Sequence, residues 1–155
     1  TEFVWETVYG MPVGQLLWTV HPVGQAQKRE AVERICKELG VPIGRVMYVG
    51  DSQTDVQVVE FLQCEGLAMM FNGKGRVCRI SDIMYIGEDA RAIEEVVHRF
   101  AESGRDGVIH YYSPAREAEC GGLLATVTPE NIDNLHDRSV KKRKEFRGVH
   151  IGGLT

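Results

Sequence analysis

The stretch that most constrains this chain is Val46-Met47-Tyr48-Val49-Gly50-Asp51-Ser52-Gln53-Thr54-Asp55. Four apolar residues, β-branched and aromatic in part, end on a glycine, and an aspartate follows at once. The run has the length of one buried strand. Beyond it, Val56, Val58, Val59, Phe61 and Leu62 are apolar with no Pro or Gly between them, which predicts a helix from about Gln53 to Cys64. Asp51 then stands at the C-terminal end of a strand, where open α/β sheets place their ligands. Asp55 lies one helical turn further on. Two carboxylates there suit a hard divalent cation such as Mg²⁺, which takes oxygen ligands. The same residues also suit a plain helix cap, since Asp and Ser are favoured N-caps and a first-turn acid complements the helix dipole. From this stretch alone both readings stand.

A second feature lies upstream. Val32, Ile35, Cys36 and Leu39 follow helical spacing in a segment from Lys28 to Leu39, with Gly40 placed to end the helix and Pro42 to prevent its continuation. A helix that feeds the 46–50 strand brings its N-terminus to the rim where that strand ends. Lys28, Asp51 and Asp55 are therefore expected to converge there.

In this order the lysine, helix, linker and strand ending in Gly50-Asp51-Ser52-Gln53-Thr54-Asp55 resemble the C-terminal half of the haloacid dehalogenase (HAD) superfamily, over roughly residues 20–100. The chain also resembles archaeal HAD-like proteins known as predicted phosphatases. Most of that superfamily are Mg²⁺-dependent phosphohydrolases. The resemblance implies that Asp51 binds Mg²⁺ and that Asp55 supports the metal or the lysine. Lys28 would offset charge on a phosphate ester and on a nucleophilic aspartate. Asn72, after the next strand, is a candidate for lining the phosphate site, although its residue type is more often that of a plain turn former. The superfamily's nucleophile sits in an Asp-x-Asp at the end of its first strand, and no Asp-x-Asp occurs in these 155 residues. Three readings follow: a C-terminal fragment of a larger phosphatase, a split subunit completed by an N-terminal half or another copy of the chain, or a HAD-derived protein that serves as a non-catalytic binding subunit. A fourth, unrelated reading is a small α/β binding module whose Gly-Asp-Ser turn only caps a helix.

The expected fold is α/β: a partial HAD-like, Rossmannoid, doubly wound parallel sheet in residues 22–104, preceded by a hairpin and followed by an α+β extension. Residues 3–9 and 15–21 read as hairpin strands around Gly10-Met11-Pro12-Val13-Gly14, a remnant of a cap or of its connection to the core. Trp5, Tyr9 and Trp18 there read as core, and Thr19 as structural. Leu67–Phe71 and Ile83–Ile86 read as further strands, and residues 88–103 as a helix ended by Gly104. In the extension, 105–155, residues 108–112 and 122–127 read as strands. Thr128-Pro129-Glu130 opens a last helix whose apolar face is sparse, so that it is solvated or docks on a partner.

Composition narrows the classes. The hydrophobic content of 43% supports one real core. No apolar run reaches membrane-spanning length. The N-terminal residues carry no signal-like segment, and the Thr1 start predicts either a removed initiator Met or a chain that begins inside a longer protein. Cys36, Cys64, Cys78 and Cys120 are too scattered for a zinc site or a disulfide framework, which favours a reducing, cytoplasmic setting. The net charge of −4 hides an acidic body and a basic stretch: Arg138 to Arg147 holds six basic residues and one acidic. Nucleic-acid binding by the body is not expected, whereas the basic stretch suits a phosphate or an acidic partner. His110 and His136 read as structural or exposed.

Overall fold

The computed structural model describes Met11, residues 23–62 and residues 65–147. The hairpin expected over residues 1–21, with Trp5, Tyr9, Trp18 and Thr19, lies outside them, apart from Met11. The elements are α1 (Gln25–Leu39), β1 (Met47–Gly50), α2 (Val56–Leu62), β2 (Leu67–Phe71), α3 (Arg76–Ile80), β3 (Ile83–Ile86), α4 (Arg91–Tyr111), β4 (Arg116–Glu117), β5 (Leu123–Thr126) and α5 (Ile132–Arg147), with single 3-10 turns at Ile43–Arg45 and Gln53–Asp55.

Among the described residues the strands form one sheet in the order β1-β2-β3-β5-β4. The β1–β2 and β2–β3 pairs are parallel, with Met47 opposite Leu67 and Met69 opposite Ile83, while β5 runs antiparallel to β3 and to β4. The sheet is therefore mixed, parallel through its first three strands only. Strand alternation sends side chains to opposite faces, and each face has its own core. Ala68, Met70, Met84 and Ala125 pack with Val56 and Val59 of α2, Val77 of α3 and Ile132 and Leu135 of α5. Leu67, Met69, Ile83, Tyr85 and Leu124 pack with Ala92, Val96, Val108 and Tyr112 on the other side. Strands buried on both faces read as continuous apolar runs, which is why Leu67–Phe71 and Ile83–Ile86 were legible at their observed limits.

Three expectations change. Residues 108–112 are not a strand. Gly104 adopts φ 68°, ψ −174° and breaks α4, but helix resumes beyond it. Val108 and Tyr112 are both fully buried, one helical turn apart, and the Tyr112 hydroxyl donates to Glu95 Oε1 at 2.7 Å. The apolar residues 108, 109, 111 and 112 thus carry a helical period. Second, the apolar stripe of α1 is only partly used. Cys36 is buried, whereas Ile35 and Leu39 are 49% and 70% exposed. Third, one face of α5 docks on the chain's own core. Ile132 and Leu135 enter the core, and Ser139 Oγ, fully buried, donates to the Gly73 carbonyl at 2.7 Å. A sparse apolar face suffices because polar side chains at helical spacing complete the contact.

No described helix is long and apolar enough to cross a membrane. Cys36, Cys78 and Cys120 carry free thiols.

Candidate functional site

The rim at the C-terminal ends of β1 and β2 is built around Asp55. Ser52 leaves the strand in extended conformation and the chain turns through Gln53–Asp55 into α2. The turn brings the Asp55 carboxylate back under the end of β1, where Oδ2 accepts the backbone N–H groups of Asp51 and Ser52, both at 3.0 Å. Gly50 makes this possible: a Cβ there would lie 2.9 Å from Asp55 Cβ, Cγ and Oδ2. The other oxygen, Oδ1, accepts the Lys28 ammonium at 2.6 Å and the Tyr48 hydroxyl at 2.7 Å. Asp55 is only 2% exposed. Burial by itself would raise its pKa; the hydrogen bond from Lys28, then those from the Asp51 N–H, Tyr48 and the Ser52 N–H, outweigh burial and lower it to about 2. The Tyr48 phenol is pushed well up, first by burial and then by Asp55.

Lys28 reaches this rim from the first turn of α1, which starts three residues earlier than its apolar pattern predicts because Gln27 Oε1 accepts the Gly24 N–H and closes the turn. Its ammonium also donates to Thr54 Oγ1 at 2.9 Å. Asp51 points elsewhere, presenting Oδ2 to Arg143 of α5 at 2.8 Å. Asn72 has a positive φ of 46°, a conformation Asn tolerates better than most residues. Its side-chain amide is spent on Gly87, donating to the Gly87 carbonyl at 2.7 Å and accepting the Gly87 N–H at 3.1 Å. Asn72 therefore fastens the loop after β2 to the loop after β3, and it meets the site through its carbonyl, which accepts Arg143 Nη1 at 3.0 Å.

These residues line one cleft of about 550 Å³, together with Phe71, Glu88 and Phe146. The sequence-derived candidates Lys28, Asp51, Asp55 and Asn72 all reach it. Three further participants went unread. Tyr48 could have been suspected, since a tyrosine in a buried strand needs a partner for its hydroxyl. Glu88, paired with Lys142 at 2.7 Å, and Arg143 carried no local signal. Two residues of the basic stretch, Lys142 and Arg143, thus pair with acids of the chain's own body.

The expectation that Asp51 and Asp55 together hold Mg²⁺ does not match this geometry. A carboxylate has about four acceptor positions, and Asp55 fills them with Lys28, Tyr48 and two backbone N–H groups. Asp51 faces a guanidinium. No group of three or more His, Cys, Asp or Glu side chains suited to a metal occurs among the described residues. Asp55 holds the Lys28 ammonium, and it also does the work of the helix cap that the sequence left as an alternative.

No protein-family model matches the chain, and no curated protein matches it in sequence. Its fold is found in a solved structure, that of gene product AF1437 from Archaeoglobus fulgidus, with a TM-score of 0.71 and 22% sequence identity. The match covers 93% of this chain and 45% of the other, so the chain spans less than half the length of that protein. At this identity the likeness defines a class by fold: a layered α/β domain with a mostly parallel sheet.

Proposed function

We propose that this chain supplies the phosphate-recognising half of a HAD-like phosphohydrolase site and does not hydrolyse phosphate monoesters by itself. The observation that supports the reading is the Lys28–Asp55 pair at 2.6 Å, set beside Asp51 at the C-terminal ends of the parallel strands of the sheet. A lysine fixed by a buried carboxylate keeps its aim, and fixed positioning is what phosphoryl-transfer sites ask of the protein. Its side chain is 29% exposed, so a ligand can reach it from the cleft. The ligand is a phosphorylated small molecule. In that superfamily's chemistry a carboxylate oxygen attacks phosphorus, the ester oxygen leaves with a proton, and water then cleaves the acyl phosphate to release phosphate. Asp55 is fully hydrogen-bonded and Asp51 is held by Arg143, so neither serves. That nucleophile would come from an N-terminal half, on the same chain or another, in a cytoplasmic setting.

Phenyl phosphate titrated into the chain and followed by amide chemical shifts tests this. Saturable shifts at Lys28, Ser52 and Thr54 are expected, and Lys28→Met should weaken binding about tenfold, the loss of one charge-assisted hydrogen bond. Unchanged affinity in Lys28→Met would refute the site, and turnover by the wild-type chain alone would refute the division of labour.

The Arg143–Asp51 pair favours a second reading, a HAD-derived binding subunit with no catalytic partner. Assay of mixtures with a candidate N-terminal half separates the two, since only the first expects phosphatase activity to appear on mixing.

A further inference from the structure

Arg143 is the least expected member of the cleft. Its Nη1 faces three oxygens at once: Asp51 Oδ2 at 2.8 Å, the Asn72 carbonyl at 3.0 Å and the Asp51 carbonyl at 3.3 Å. One carboxylate and two carbonyls around a single point make a hard-oxygen cluster of the kind that receives divalent cations at about 2.0–2.6 Å. The two carbonyls belong to the residues directly after β1 and β2, adjacent parallel strands, so the sheet itself brings them together. Here a nitrogen of the same chain stands at that point.

The arginine is built in. The α5 helix that carries it is fixed along its length. Ile132 and Leu135 are buried, Asp133 pairs with Arg79 at 2.6 Å, and His136 Nε2 accepts the Gly75 N–H at 3.2 Å. Ser139 holds the Gly73 carbonyl and Lys142 pairs with Glu88. Three of these contacts fall on the loops that bear or adjoin the oxygen cluster. Arg143 is 13% exposed, and its guanidinium is a planar, delocalised cation. Each acid of the rim thereby has its own fixed cation, Lys28 for Asp55 and Arg143 for Asp51.

We infer that Arg143 is a resident counter-cation that takes the divalent-metal position at Asp51, so that the cleft of this chain is closed to Mg²⁺ and Mn²⁺. The charge that a metal would bring to the rim is supplied by helix α5. This does not depend on the phosphate reading, because it concerns what Asp51 binds and not what Lys28 binds.

Mn²⁺ titration of the full chain, read by paramagnetic broadening of amide signals, is the test. The wild type should show no Asp51-dependent site at millimolar Mn²⁺, whereas Arg143→Met, which keeps the aliphatic stem, should gain a saturable one that broadens Asp51, Ser52 and Asn72. Adding Asp51→Asn to that variant should remove it again. Wild-type binding that Asp51→Asn abolishes would overturn the inference, as would a folded Arg143→Met with no gain. Should Arg143→Met not fold, the guanidinium ¹⁵N signals of the wild type decide: resonances unmoved by millimolar Mg²⁺ uphold a resident arginine, and a saturable shift to free-arginine positions overturns it.

Discussion

Asp55→Ala is expected to destabilise the fold by about 3–5 kcal/mol, the range for breaking a buried ion pair by removing one partner. The substitution strands four donors: the Lys28 ammonium, the Tyr48 hydroxyl and the backbone N–H groups of Asp51 and Ser52. Lys28 reaches solvent in part and recovers some of its loss. The two N–H groups sit at the junction of β1 and α2 and recover less. Urea unfolding followed by circular dichroism measures the change, and a loss under about 1 kcal/mol would mean that the network contributes no more than an ordinary helix cap.

The same carboxylate sets an acid limit. Its folded pKa of about 2 lies below the ordinary value of 3.8, so the unfolded state binds the proton more readily. The stabilisation is complete above the unfolded value and fades as pH falls from about 4 to about 2, a loss on the order of 2 kcal/mol. Removing Lys28 takes away the largest influence that lowers this pKa, so Lys28→Met should move the acid transition to higher pH. Unfolding midpoints measured between pH 5 and pH 2, at about one-unit steps, check the direction. An unchanged acid limb in the Lys28 variant would mean that the ion pair does not govern it.

Gly87→Ala should cost about 3 kcal/mol. A Cβ at Gly87 would overlap the hydroxyl oxygen and Cζ of Tyr85, a ring that is fully buried and packed against Phe71 with centroids 4.9 Å apart. Overpacking of a tight core costs about 1–3 kcal/mol. Displacing the ring also breaks the hydroxyl's bond to the Gly121 carbonyl at 3.0 Å and its acceptance of the Asp89 N–H at 3.2 Å. Because Gly87 is clasped on both sides by the Asn72 amide, the disturbance should reach the cleft. Arg143 would then lose one of its carbonyl partners, so amide shifts at Asn72 should accompany the drop in stability. Tyr85→Phe added to Gly87→Ala should restore part of the loss by removing the overlapped oxygen.

Legibility followed the range of the interactions. The runs 67–71 and 83–86 are apolar on both faces, and both appear as the strands they spell. The end of α1 was written in Gly40, which takes φ 62° as the left-handed cap. Where two periods compete within a few residues, as at 108–112, composition favoured a strand. Contact of Val108 and Tyr112 with the sheet chose the helix. The stripe of α1 failed for the opposite reason: a period states which residues share a face, not whether a neighbour covers that face. Ile35 and Leu39 share it and remain exposed.

In the site, Gly50, Asp51 and Asp55 were legible because a strand-to-helix turn of five residues is local geometry, and Lys28 because a helix and its following strand share a rim. Sequence alone thus determined that Lys28, Asp51 and Asp55 gather at one rim. It did not determine how their charges divide. Asp55 became the buried anchor because Gly50 admits it beneath the strand and Tyr48 and Lys28 reach it there. Asp51 became an arginine's partner because α5, starting some eighty residues later, lies across the loops after β2 and β3. Contacts at that separation are fixed by how the layers stack, and no pattern within either segment encodes them.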